Sequence, residues 1–248
     1  MAVELVVRLL SESIQAKPDA VLGLATGRTM ERVYERLAKR PVSFKACRTF
    51  NLDEYIGLPP DDKNSYRHYM HTHLFSKVDI NPANTHVPNG NASNLKEAAT
   101  QYEQLITRAG GIDVQLLGIG EAGHIGFNEP LSSLMSRTRD KSLTPATRKQ
   151  NAVMFNDDIN RVPKRALTMG VGTILEAKEL VLLATGSSKA AIVAQAVERP
   201  VTSMVSASAI QLHRHCTVIV DNDAANELKG REYYDFVFAN EPEWADYR

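Results

Sequence analysis

The stretch DVQLLGIGEAGHIGFNEP, residues 113–130, joins an apolar run of strand length to a segment with glycines at 118, 120, 123 and 126. That pattern reads as a buried strand running into a bare turn. One histidine, His124, stands in the turn, and a carboxylate, Glu129, follows five residues later. Either the ring is a turn histidine bonded to backbone, or it faces a ligand across a backbone with little side-chain cover. Glu129 is close enough in sequence to orient such a ring or set its charge.

Four more runs share this character: AVLGLAT (20–26), CRTFNL (47–52), ELVLLAT (179–185) and CTVIVD (216–221). Segments of helical period lie among them at 29–38, 65–75, 92–109, 187–197 and 223–228. The alternation predicts an α/β fold: an open, mostly parallel, doubly wound Rossmann-like sheet with helices on both faces. No linker rich in Pro, Gly and Ser divides the chain, and no repeat of solenoid period occurs, so residues 1–248 read as one domain. The opening MAVELVVRLLSESIQAKP is interrupted by Glu4 and Arg8 and reads as an amphipathic helix, not a leader or a membrane span.

Lys plus Arg and Asp plus Glu both number 29, so there is no broad field to gather nucleic acid or anionic membrane. An anionic partner must then be small and locally held. Cys47 and Cys216 form no CxxC pair, which points to thiols in a reducing cytoplasm.

In open parallel sheets, ligands bind beyond the carboxyl ends of the strands. Two such ends look alike: LATGRT (24–29) and LATGSSK (183–189). Each is either a tight capped turn or an anion site, and Lys189 in the first turn of the second favours phosphate. Neither has the spacing of a Walker loop. FNLDEY (50–55) ends a strand with adjacent carboxylates; because side chains alternate, only one of Asp53 and Glu54 faces a shared pocket. A carboxylate there is either a turn cap or a general base. No GxSxG elbow is present, which removes a serine hydrolase. The histidines at 68, 71, 73, 213 and 215 lack an HExxH pattern, so no catalytic metal is expected.

Together LATGRT, TFNLDEYIGL, NSYRHYM, PNGNA, GIGEAGHIGFNEPLSSLMSRTR, VPKRALTMGVGTIL and GSSKA resemble the glucosamine-6-phosphate deaminase family, also described as glucosamine/galactosamine-6-phosphate isomerases. They occur in family order over roughly residues 20–230. The resemblance implies conversion of glucosamine 6-phosphate to fructose 6-phosphate and ammonia without a cofactor. It assigns sugar-ring opening to His124, proton transfer from C2 to C1 to Asp53, and the role of His124's partner to Glu129. Thr26, Gly27 and Thr29 with Lys189 would hold the phosphate, and residues 143–166 would form a mobile lid. Ser132, Ser133, Arg139 and Lys141 would bind an activator, N-acetylglucosamine 6-phosphate, between subunits of a homohexamer.

The chain departs from that pattern at several places. Ala122 stands where relatives carry Asp or Asn in the histidine relay, and Val153 where a lid arginine clasps the phosphate. Arg28 and Met30 replace a glycine and a proline of the phosphate loop. From its position, Arg28 is expected to substitute for the lid arginine. Relatives also begin with a strand where this chain begins with a helix, so an edge strand is expected to be missing. Three alternatives follow: a sugar-phosphate-binding protein of the same fold with reduced or lost turnover, a hydrolase of the related 6-phosphogluconolactonase type, and, because Val153 alters the lid, a deaminase of a different amino-sugar phosphate.

Overall fold

The computed structural model describes residues 1–248. Nine strands form: β1 (Val21–Leu24), β2 (Arg48–Asn51), β3 (Asp53–Tyr55), β4 (Thr85–His86), β5 (Val114–Leu117), β6 (Arg139–Ser142), β7 (Arg165–Thr168), β8 (Glu179–Ala184) and β9 (Cys216–Val220). The eight α-helices are α1 (Ala2–Ala16), α2 (Arg28–Leu37), α3 (Tyr66–His73), α4 (Leu95–Arg108), α5 (Pro145–Asn151), α6 (Val171–Leu175), α7 (Ala190–Glu198) and α8 (Arg231–Asn240).

Six strands make the main sheet in the order β4-β2-β1-β5-β8-β9, and every pairing in it is parallel. The chain winds from β1 out to β4, returns through α4 to β5, and winds the other way to β9. Because crossovers between parallel strands are right-handed, that reversal puts the helices of the two halves on opposite faces. The doubly wound sheet expected from the apolar runs is therefore present. Its switch point falls between β1 and β5, where the loops after both strands part to leave a crevice.

The central strands β1 and β5 are wholly buried, as continuous apolar runs demand. α1 turns Val6, Val7, Leu10 and Ile14 into the core and ends before Pro18, which cannot continue a helix. α4 starts where the Asn94 side chain accepts the Glu97 N–H at 3.1 Å, and it buries Ala98, Ala99, Tyr102 and Ile106.

A second, antiparallel sheet has the order β3-β7-β6 and was not foreseen. Its strands are short and two are polar (DEY and RDKS), so no apolar run announces them. Beneath it a separate apolar cluster joins Tyr55, Tyr66 and Phe127 to Leu143, Ala152, Phe155 and Val162. The segment 223–228, expected to be helical, is instead a series of turns. It lacks an apolar stripe, and the Asp221 carboxylate takes the Ala224 N–H at 2.8 Å. Residues 187–189 form a 3₁₀ turn, and α7 begins only at Ala190. α1 is the first element, and the edges of the main sheet are β4 and β9.

Candidate functional site

The chain changes sheets at Leu52. Its N–H bonds to Leu24 O in the main sheet at 3.1 Å, while its carbonyl accepts the Met169 N–H at 2.7 Å. Asp53 therefore opens β3 beside the crevice. Alternation turns the two neighbouring carboxylates apart, as expected. Glu54 Oε1 accepts the N–H groups of Tyr55 and Tyr66 at 2.8 and 3.0 Å, and Oε2 accepts that of Arg67 at 3.0 Å, so Glu54 serves the start of α3. Asp53 lines the cleft instead. Burial, with Glu54 close by, pushes its carboxyl up to about 8, against the pull of the Phe127 N–H.

The glycine-rich loop brings His124 to the same cleft. A Cβ on Gly120 would fall 2.2 Å from His124 Nε2, so only glycine lets the ring lie over this turn. Gly123 and Gly126 have φ of 77° and 54°, which favours glycine at both. Ser206 braces the loop: its hydroxyl donates to Asn128 O at 2.7 Å and accepts the Ile125 N–H at 3.3 Å. Glu129, almost fully buried, puts Oε2 3.6 Å from His124 Nδ1, and that nitrogen has no hydrogen-bond partner. Burial lowers the pKa of His124; Glu129 opposes this and Lys189 adds to it.

At the other end of the cleft lie both Thr-Gly turns. Gly27 and Gly186 cap the following helical turns with φ of 123° and 89°, in open space, so backbone conformation and not crowding requires glycine. Thr26, Gly27, Arg28, Thr29 and Lys189 line the cleft, whose volume is about 730 Å³. Burial lowers the Lys189 pKa, with Arg28 acting in the same direction and Glu121 against it. Two cations thus sit near one another above the N-terminus of α2, where an anion would relieve their repulsion. The turns are not equivalent. The Gly186 N–H is spent on both Asp221 oxygens at 3.0 Å, while at the first turn the Tyr69 hydroxyl engages the Gly27 carbonyl at 2.8 Å and leaves the amides free.

The sequence and the fold have known counterparts. The profile of a family described as glucosamine-6-phosphate isomerases/6-phosphogluconolactonase matches residues 1–219. The chain belongs to that family. Among its members, the glucosamine-6-phosphate deaminase of Shewanella woodyi is 49% identical over 235 residues, covering 93% of this chain and 89% of the relative. That of Streptomyces coelicolor is 46% identical over 245 residues, covering 97% and 94%. A solved structure described as a monomeric glucosamine-6-phosphate deaminase superposes with a TM-score of 0.89 at 45% identity, covering 91% of this chain and 95% of the other. The 6-phosphogluconolactonase of Trypanosoma brucei, at 20% identity and a TM-score of 0.72 over 92% and 94% of the two chains, shares the fold.

The structure of this isomerase-family chain puts its departures in place. Ala122 is partly exposed, and its side chain offers no acceptor. Val153 is 53% exposed and is not part of the cleft wall; Gln150, Asn151 and Met154 face the cleft from this segment. Met30 is buried and packs against the Gly118 backbone, so it serves the wall. Ser132, Ser133, Arg139 and Lys141 do not line the cleft. Ser132 is buried with its hydroxyl unpartnered, whereas Ser133 is exposed. Sequence reasoning missed Tyr66, Asp221 and Thr144. Tyr66 lies within NSYRHYM and lines the cleft, as does Asp221, which directly follows β9 beside the second turn. Thr144 carries no motif; only the fold brings it to Glu129, whose Oε1 accepts the Thr144 N–H at 2.9 Å.

Proposed function

We propose that this chain converts glucosamine 6-phosphate to fructose 6-phosphate and ammonia, taking up one water. The observation that carries the reading is Asp53: a buried carboxyl with its pKa pushed up to about 8, in one cleft with His124 and the cations of an anion site. The first Thr-Gly turn and Lys189 would hold the phosphate, with Arg28 beside them in the role of the absent lid arginine. His124, its pKa lowered by burial, is neutral at neutral pH; it can take a proton from the O1 hydroxyl and return one to O5, which opens the ring. Glu129 steadies the charge that forms on the imidazole. The substrate ammonium at C2 favours ionised Asp53, which then takes the C2 proton and delivers it to C1. Water adds at C2 of the resulting imine, and ammonia leaves. An elevated pKa makes Asp53 a stronger base than an exposed carboxylate.

The whole chain works here as a single sugar-phosphate domain in which residues 143–166 close as a lid. In support, α5 and the 3₁₀ turn Ala152–Phe155 already overlook the cleft through Gln150, Asn151 and Met154. Ser132, Ser133, Arg139 and Lys141 make an anion site for N-acetylglucosamine 6-phosphate. The buried, unpartnered Ser132 hydroxyl supports this, as does Arg139, which donates to Asn128 Oδ1 at 2.8 Å beside Glu129. Placing that site between subunits of a homohexamer finds no support, because the solved deaminase at 45% identity is described as monomeric. We therefore propose a monomer, and the two free thiols suit a cytoplasmic setting.

The test is ammonia release from glucosamine 6-phosphate by the purified protein, with and without N-acetylglucosamine 6-phosphate. Release establishes the deaminase, and stimulation supports the second site. Binding without release selects a sugar-phosphate-binding protein, whereas hydrolysis of 6-phosphogluconolactone without ammonia release selects the lactonase.

A further inference from the structure

The Glu129 carboxylate is 2% exposed and has few partners. Thr144 supplies them: its N–H donates to Oε1 at 2.9 Å, and its hydroxyl lies 3.3 Å from each oxygen. Oε2 is thereby left facing His124 Nδ1 at 3.6 Å. Thr144 is also the N-cap of α5, since its Oγ1 accepts the Thr147 N–H at 3.2 Å. The cap uses that oxygen and the Thr144 carbonyl, which accepts the Arg148 N–H at 3.0 Å. The backbone N–H of Thr144 takes no part in the cap and points at Glu129.

From these contacts we infer that Thr144 is a positioning residue. It fixes the rotation of the Glu129 carboxylate so that Oε2 meets His124, and it makes α5 part of the proton-handling apparatus. This rests on the reading of His124 and Glu129 given above. α5 is tied to the site at its other end as well: Asn151 donates to the Tyr55 hydroxyl at 2.9 Å, and Gln150 Oε1 accepts the Glu121 N–H at 3.3 Å. One short helix thus touches the partner of the histidine, the glycine-rich loop and the aromatic cluster under Asp53. A shift of α5 turns the Glu129 carboxylate with it, so the position of the lid and the state of the relay change together.

The experiment measures kcat and KM for ammonia release from glucosamine 6-phosphate in Thr144→Pro, Thr144→Val and Thr144→Ser, each with Glu129 intact and with Glu129→Gln. Proline removes both donors, and the Thr144 φ of −67° suits it. Valine removes only the hydroxyl, and serine restores it. With Glu129 intact, kcat should fall about 100-fold for proline and about 5-fold for valine, stay within about 2-fold for serine, and leave KM within about 3-fold. In the Glu129→Gln background the same substitutions should cost little more, because the group they orient is gone. Equal losses in both backgrounds would reduce Thr144 to a helix cap. Unchanged kcat in all three would overturn the inference, and valine and serine decide it even where proline fails to fold. If Glu129→Gln itself leaves kcat unchanged, the reading of Glu129 falls and Thr144 with it. If Glu129→Gln is impaired while the Thr144 variants are not, only the present inference falls.

Discussion

The two ends of the cleft are built on opposite terms. At the end proposed for proton transfer, Asp53, His124 and Glu129 are buried, held on a strand that leaves the main sheet and on a loop braced by Ser206. At the end proposed for the phosphate, the groups on offer are amides at the start of α2 and two cations that open onto solvent. Burial shifts both, in opposite senses: it raises the Asp53 carboxyl and lowers the Lys189 ammonium. In the proposed reaction the first shift makes a base, while the second would be undone by an arriving phosphate, because an anion restores the preference for charge. The proton end is therefore set before substrate binds, and the anion end is completed by the substrate. Substitutions at the first should act on kcat, and substitutions at the second on KM.

The largest effect should come from Asp53→Asn. Removing a positioned base costs about 10²–10⁴-fold in rate, so kcat should fall by that much with KM little changed, and exchange of the C2 proton with solvent deuterium should cease. Because the working form of Asp53 is ionised and its pKa in the empty site is about 8, kcat/KM should climb with pH and level off above that value. The same residue makes a stability prediction. A buried carboxyl whose pKa is raised on folding stabilises fully only below the unfolded value near 4, and that contribution is lost as pH rises through about 8. Asp53→Asn should then raise Tm relative to wild type at pH 8.5 and much less at pH 5. At the anion end, Lys189→Ala should raise KM about 10- to 100-fold with kcat nearly held, as expected for loss of a charge-assisted contact. Arg28→Ala should raise KM by about 3- to 5-fold, the smaller effect of a less buried cation. An unchanged KM there would leave the absent lid arginine without a substitute. The smallest effect should be a gain. Ala122→Asp would restore a carboxylate two residues before His124, where the resembling family carries Asp or Asn, and kcat should rise about 3-fold.

Much of this was legible in the amino-acid sequence, and what escaped it has a physical cause. Five apolar runs marked five of the six main strands, since strands buried on both faces tend to be apolar throughout; their order in the sheet was not legible, and β4, only two residues long (Thr85–His86), had no run to announce it. The two Thr-Gly turns could be paired with each other because positive φ leaves glycine as a signature. The second sheet was invisible: β6 is the polar RDKS, and only its register with β7 makes it a strand. The division of labour between Asp53 and Glu54 was legible as alternation, but which of them faced inwards was not. That depended on α3 bringing the N–H groups of Tyr66 and Arg67 to Glu54. Arg28 was expected near the phosphate from its place beside Gly27, and it does line the cleft. Thr144 lay beyond any local reading, because its partner is fifteen residues away across a loop.

The chain passes from one sheet to the other at Leu52, with a single residue serving both ladders. In a strand, one added or deleted residue exchanges the two faces. An insertion just before Asp53 would therefore spare most of the fold and yet turn the carboxylates of positions 53 and 54 about, sending the base towards the amides of α3 and the cap towards the sugar. Length variation, which surface loops tolerate freely, is barred at this crossing between sheets. A lineage carrying the fold could change the helix and turns over its cleft and the cations within it, and still be unable to gain or lose one residue there without turning the two carboxylates about.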